Sequence, residues 1–291
     1  MNNQQTQDKL NRDKIKSVQD IAPTLHHAQT AMASLDLTSL TGVETDNEII
    51  ALCDKAKQGH VAAVCVYPQY VARVAELLEG TDIQIATVIN FPHGDMTNEG
   101  ETATPENTEK AVKDAIVNGA TEIDIVMDYK DYMNEAHARS LLRACKNACG
   151  DGVKMKVILE TAAFELEDDI ACLASMAIEE SANFIKTSTG KYSDPEFPEI
   201  GGATFDAVLT MVNVIKKHQA ERTVGLKISG GVSDSNFAAF IELVTGEIDN
   251  DFLNSNTFRI GASGLYNYLH LSIETNGQVI NHVNKHGTLG Y

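Results

Sequence analysis

Hydrophobic residues along this chain recur with two alternating periods. Eight short stretches read as strands: SLDLT (34–38), AAVCVYP (62–68), QIATVIN (84–90), EIDIVMD (122–128), VKMKVILET (153–161), FIKTST (184–189), TVGLKIS (223–229) and FRIGAS (258–263). Between them lie helical patterns such as DNEIIALCDKAKQ, TPENTEKAVKDAIVNGA, DDIACLASMAIEES and TFDAVLTMVNVIKKHQ, and a last one follows in GLYNYLHLSIETNG. Eight strand-then-helix units without a break in composition predict an α/β fold, a (β/α)₈ barrel, with residues 26–291 forming a single domain. Doubly wound sheets use the same alternation, but no GxGxxG opens the first helix. Residues 1–25 read as a polar N-terminal extension, helical or flexible.

Parity within the strands sharpens the prediction. In VKMKVIL the apolar series Val153, Met155, Val157 and Leu159 alternates with Lys154, Lys156, Ile158 and Glu160; EIDIVMD and TVGLKIS alternate in the same way. Strands separated by amphipathic crossover helices are covered on their outer face, so the apolar parity belongs under the helices and the other parity points to the barrel axis. That places Asp36, Thr38, Cys65, Asp124, Lys156, Glu160, Lys186, Lys227, Gly261 and Ser263 in one interior, toward the strand ends that feed the βα loops, where barrel active sites are built.

Two interior lysines on neighbouring strands alter each other's chemistry. A free lysine, with a pKa near 10.4, is only about 0.04% neutral at pH 7. A neighbouring cation and partial desolvation lower that pKa and expose a nucleophilic amine of the kind that forms Schiff bases. Lys186, framed by the hydroxyls of Thr187, Ser188 and Thr189, is the better nucleophile; Lys227 can stay protonated beside Asp124. A purely structural role, balancing Asp36, Asp124 and Glu160, fits the same two lysines. Glycines at three successive strand ends weigh against that bland reading: Gly190 with Lys191, Gly230 with Gly231, and Gly261 with Ser263 and Gly264. Each could be a turn alone, but together they form the kind of backbone N–H cradle that holds phosphate after the last barrel strands. The segment is not a nucleotide P-loop, since Ile185 and Tyr192 occupy the positions of its first glycine and its Ser or Thr.

Composition narrows the rest. The chain has 291 residues, 43% hydrophobic and 22% charged, with a formal charge of −18. That charge argues against nucleic-acid or membrane partners and requires any anionic substrate to meet a locally positive site. The polar N-terminus lacks a secretory signal pattern and no apolar run suits a membrane span, so a cytoplasmic protein is expected. Five cysteines without zinc spacing suit a reducing compartment, and Cys145 and Cys149 fall on one helix face. The scattered histidines form no HExxH set, so a mechanism without metal or other cofactor is expected.

The segments LDLTSL, AAVCVYP, ATVINFPHG, KVILET, FIKTSTGK, VGLKISGGV and FRIGAS, in this order, resemble the deoxyribose-phosphate aldolase family from about Leu35 to the C-terminus. The resemblance implies a class I aldolase on a (β/α)₈ barrel that interconverts 2-deoxy-D-ribose 5-phosphate with acetaldehyde and D-glyceraldehyde 3-phosphate. It implies Lys186 as the Schiff-base lysine, Lys227 as the perturber of its pKa, Asp124 in a proton relay, and Tyr291, on a mobile C-terminal tail, as a proton-transfer aid. Asp36, Thr38, Cys65, Lys156 and Thr189 are then expected to contact substrate, and Gly190, Lys191, Gly230, Gly231, Gly261 and Ser263 to hold phosphate. The chain departs from the family pattern at Ile228, Ser233 and Gly264, the last two bearing on the phosphate. A transaldolase-like Schiff-base barrel and a non-catalytic phosphosugar-binding barrel are the alternatives. The expected partners are a small phosphosugar and aldehydes, with a homodimer open as the assembly.

Overall fold

The computed structural model describes residues 3–193 and 201–280. Its strands are β1 (Leu35–Thr38), β2 (Ala63–Val66), β3 (Gln84–Ile89), β4 (Glu122–Val126), β5 (Lys154–Ile158), β6 (Phe184–Lys186), β7 (Gly225–Ser229) and β8 (Phe258–Ala262). Each pairs in parallel with the next, and β8 closes on β1 through Leu35↔Ile260 and Asp36↔Gly261. Two helices precede the barrel, α1 (Asn3–Val18) and α2 (Leu25–Ala33). The strands are then followed in turn by α3 (Asp46–Gly59), α4 (Val71–Leu77), α5 (Pro105–Val117), α6 (Glu135–Cys149), α7 (Glu167–Glu179), α8 (Phe205–His218), α9 (Phe237–Glu247) and α10 (Leu265–Glu274). This is the (β/α)₈ barrel that the alternation predicts.

Local chemistry sets the helix starts. Thr24, Thr45, Thr104 and Thr204 each accept a backbone N–H of the first turn on their hydroxyls, and Glu48 completes a capping box with Thr45. Pro105 occupies the opening turn of α5, where its missing N–H has no partner to lose. The N-terminal extension is helical over α1 and is pinned by Lys14, whose Nζ lies 2.5 Å from Glu247 Oε1 on α9. Among the described residues no helix is long and apolar enough to cross a membrane.

The parity argument holds strand by strand. Leu35, Leu37, Val64, Ile85, Ile123, Ile125, Met155, Val157, Ile185, Leu226, Phe258 and Ile260 join the main apolar core between sheet and helices. The inward positions are not uniform. On β2 and β3 they are small or aliphatic, Ala63, Cys65, Ala86 and Val88, whereas β1 and β4 to β8 carry every interior charge of the strands. Cys145 and Cys149 do share the buried face of α6.

Two glycines make room for this filling. A Cβ on Gly225 would stand 2.3 Å from the ring of Phe184, its register partner on β6, and one on Gly261 would stand 3.0 Å from Lys227 Cε. The aromatic ring of Phe184 has no space to retreat inside a closed barrel. Gly225→Ala is therefore expected to lower stability by about 1–3 kcal/mol, seen as a lower urea midpoint at unchanged slope.

Candidate active site

Charges from six strands meet on the barrel axis. Lys156 Nζ on β5 lies 2.5 Å from Glu122 Oε2, 3.0 Å from Asp124 Oδ1 and 3.1 Å from Asp36 Oδ2. Arg259 on β8 donates to Asp36 Oδ1 at 2.6 Å and to Glu122 Oε1 at 2.8 Å. Lys227 Nζ donates to Asp36 Oδ2 at 2.5 Å and to Asp124 Oδ2 at 2.7 Å. Lys186 Nζ stands at the top of the stack and meets Asp124 Oδ2 at 2.9 Å. All of these side chains are buried.

Unpaired charge in such a place is costly. Asp36, Glu122 and Asp124 supply three negative charges; Lys156, Lys227 and Arg259 supply three positive ones. These six balance one another, so the charge of Lys186 is set against Asp124 below it and against Glu160, a buried carboxyl whose pKa burial raises and Lys186 lowers. Burial pushes the Lys186 pKa down, opposed by Asp124 and reinforced by Lys227. Burial also acts against the charge of Lys227, but Asp124 and Asp36 outweigh it and hold its pKa above the ordinary lysine value. Burial works against the two aspartates as well; at Asp36 the cations Lys156, Lys227 and Arg259, and at Asp124 the cations Lys156, Lys186 and Lys227, keep the carboxyl well below its usual range. The two lysines are thus unlike: burial and Lys227 lower the pKa of Lys186, while Asp124 and Asp36 raise that of Lys227 beside it.

Above the stack, at the C-terminal ends of the strands, opens a cavity of about 420 Å³. Lys186 and Thr38 form part of its lining, with Thr189, Gly190 and Lys191 from the loop after β6. Gly230 and Gly231 after β7, and Gly261 and Ser263 at the end of β8, complete the expected set there. Gly230 and Gly231 have φ of +84° and +77°, a region that a side chain would strain. Glu160, at φ +56°, accepts the N–H of Thr189 at 3.1 Å and also its hydroxyl, and Lys191 N–H donates to Thr189 Oγ1 at 3.0 Å, so the β6 loop is tied down beside the cavity.

Other expected contacts fall elsewhere. Asp36 and Lys156 do not reach the cavity; they lie fully buried in the ion stack, where the register Asp124↔Lys156 and Asp36↔Gly261 sets their depth. Cys65 is buried on the inner face of β2, in an apolar cluster with Leu40, Val88, Phe91, Val126 and Ile158, and burial raises its thiol pKa. Tyr291 and the tail that carries it lie outside the described residues. Ser233 turns to its own loop, bonding Asn236 and Ser235, while Gly264 lines the cavity at the start of α10. Lys191 is the cation of the glycine loops.

Arg259 and Glu122 escaped the sequence reading. Both were legible in principle: Arg259 shares the parity of Gly261 and Ser263, and Glu122 that of Asp124. Ser229, whose hydroxyl donates to Ser188 O at 2.6 Å and which lines the cavity, follows Lys227 by the same rule. Among the described residues no group of three or more His, Cys, Asp or Glu could hold a metal ion.

The model of the DeoC/LacD family of aldolases matches residues 26–246, most of the barrel. The chain belongs to that family. It is an aldolase, a carbon–carbon lyase. The solved apo structure of a candidate deoxyribose-phosphate aldolase from Toxoplasma gondii ME49 is 25% identical, with TM-score 0.75, covering 86% of the aldolase and 98% of that chain. A candidate deoxyribose-phosphate aldolase from Coccidioides immitis is 27% identical, with TM-score 0.68, over 93% and 98% of the two chains. The tetrameric deoxyribose phosphate aldolase of Aeropyrum pernix, 21% identical with TM-score 0.67 over 87% and 97%, shares the fold.

The stack makes a stability prediction for the aldolase. Arg259→Met leaves Asp36 and Glu122 short of a buried cation and is expected to cost about 3–5 kcal/mol. The sign with pH follows from Asp36. A carboxylate whose folded pKa is lowered stabilises above its unfolded pKa, near 3.9, and that contribution is lost as pH falls through the folded value. Without Arg259 the folded value rises, so acid unfolding should begin at higher pH, a shift that circular dichroism during acid titration would measure.

Proposed function

We propose that this aldolase reversibly cleaves 2-deoxy-D-ribose 5-phosphate to acetaldehyde and D-glyceraldehyde 3-phosphate through a Schiff base at Lys186. The observation that carries the reading is the lysine itself: Lys186 borders the cavity, shares Asp124 Oδ2 with Lys227, and is buried on top of three matched carboxylates and cations, where burial and Lys227 lower its pKa. The names of the structural relatives and the family's chemistry support the substrate.

In this mechanism the Lys186 nitrogen attacks the aldehyde carbon, and Lys227 supplies positive charge and a proton as the carbinolamine loses water to give an iminium. Asp124, ionised between the lysines, takes up protons through a water. Loss of the proton from the C3 hydroxyl breaks the C2–C3 bond; its electron pair enters the iminium and leaves an enamine, and D-glyceraldehyde 3-phosphate departs. Protonation of the enamine carbon and hydrolysis release acetaldehyde and restore the amine. Lys191 and the N–H groups around Gly190, Gly230, Gly231, Gly261 and Ser263 would hold the phosphate, with Thr38 and Thr189 near the sugar hydroxyls. Asp36 and Lys156 act one layer lower, by holding Lys227 and Asp124 in place, and Cys65 lies on the apolar side toward the aldehyde.

Borohydride reduction in the presence of 2-deoxyribose 5-phosphate should leave an adduct on Lys186 by peptide mass mapping. No adduct on folded, sugar-phosphate-binding protein would sink the Schiff-base reading, and cleavage of ketose phosphates in place of the deoxy sugar would favour a transaldolase-like enzyme. Lys227→Leu removes a cation that lowers the Lys186 pKa and leaves Asp124 to attract the ammonium. The rising limb of activity should therefore move to higher pH, with a loss of roughly 100-fold or more near neutrality. Deleting Tyr291 should slow enamine protonation, read as deuterium exchange into acetaldehyde, while imine trapping persists.

A further inference from the structure

The barrel has a second cavity at its other end. Its volume is about 680 Å³, larger than the catalytic one, and it is lined by residues at or just before the starts of strands, among them Ala62, Lys154 and Asn256. The charged side chains on its walls are Lys57 of α3, Lys154 of β5, Arg259 of β8 and one carboxylate, Asp82, with His60 at the end of α3 beside them. Arg259 is committed to Asp36 and Glu122, and Lys57 meets Asp54 of its own helix at 2.9 Å in a solvent-exposed pair that an anion can compete for. On a chain of formal charge −18 a wall with three cations and one carboxylate is unusual, and Lys154 is the cation of the wall with no carboxylate in hydrogen-bond contact among the described residues.

Lys154 is the informative group. Its side chain is one-third exposed, and its ammonium bonds a neutral acceptor, Asn256 Oδ1, at 3.1 Å. Glu122 Oε1 stands 3.7 Å away and already accepts from Arg259 at 2.8 Å. Burial lowers the Lys154 pKa; Glu122 opposes the shift, and Arg259 and Lys156 add to it. The three carboxylates of the axis are matched by Lys156, Lys227 and Arg259, which makes Lys154 a surplus cation at the end of the stack opposite Lys186. An anion with several terminal oxygens could pair with it and with Lys57 from the neighbouring helix at once.

We propose that this cavity binds a small phosphate-bearing metabolite, held by Lys154 and Lys57 with His60 and Asn256 at its edge, on the barrel face opposite the aldolase site. The volume lies in the range of pockets for small molecules of this size. Nothing in the proposal depends on the Schiff-base reading, because a binding measurement needs no turnover.

The test is calorimetric titration of pyrophosphate into full-length Lys191→Met protein, which lacks the cation of the catalytic-end loops. One saturable pyrophosphate per chain is expected, weakening with added salt. Adding Lys154→Met should lower the affinity roughly tenfold or more, and so should adding Lys57→Met, whose position on the exposed side of α3 spares the fold if Lys154→Met unfolds. Absence of saturable binding to Lys191→Met protein would overturn the proposal. So would an affinity that neither substitution changes, since the anion would then sit elsewhere.

Discussion

The structure turns on a stack of buried charges that must sum to zero. Three carboxylates and three permanent cations occupy the barrel axis, and each cation comes from a different strand. Water is excluded there, so every one of these groups depends on the others remaining in register. The stack is not a source of stability in itself. That comes from the apolar shell between strands and helices, where the outward-facing parity of the sheet is buried. What the stack decides is the setting of the seventh group: with the other charges matched, burial and the neighbouring Lys227 lower the pKa of Lys186, while its hydrogen bond to Asp124 opposes the shift.

Filling a barrel with charge on one side imposes a division on its mouth. From β6 round to β1 the rim carries lysine, hydroxyls, glycine N–H groups and Leu40, which also belongs to a buried apolar cluster with Cys65, Val88, Phe91, Val126 and Ile158. Tyr129 extends this apolar sector, bonding His93 Nδ1 at 2.9 Å and meeting Tyr192 edge to face. Glu160 tightens the polar half by anchoring Thr189, so the loop carrying Lys191 is positioned from β5 as well as from its own strand.

The ends of the barrel differ for the same electrostatic reason. At one end the last group of the stack is Lys186, almost fully buried beneath the cavity; at the other it is Lys154, one-third exposed and close enough to water to stay within reach of solvent anions. The helix α1 takes no part in either end. It packs against α8 and α9, with Lys14 and Lys216 sharing Glu247, and lengthens the apolar shell through Ile15 and Val18.

Much of this was legible in the chain alone, because period and parity are local properties. Alternation of strand and helix signals determined the barrel, and the two-residue repeat determined which side chains face inward, Lys186, Lys227 and Asp124 among them. The same repeat would have included Arg259 and Glu122, but each stands at or next to the start of its strand, Glu122 two residues before Asp124 and Arg259 alone in FRIGAS, where a charge looks like a solvated strand end until the sheet is known to close. Depth was beyond the reach of the sequence. Parity assigns Asp36 and Lys156 to the interior without saying how far down, and only the stagger of β1 and β5 against their neighbours places them beneath the cavity. The chain alone already favoured Lys186 as the nucleophile and Lys227 as the cation beside Asp124, but the physical cause depended on tertiary structure: charges brought within about 3 Å of one another by strands far apart in the chain raise the pKa of Lys227, while burial lowers that of Lys186.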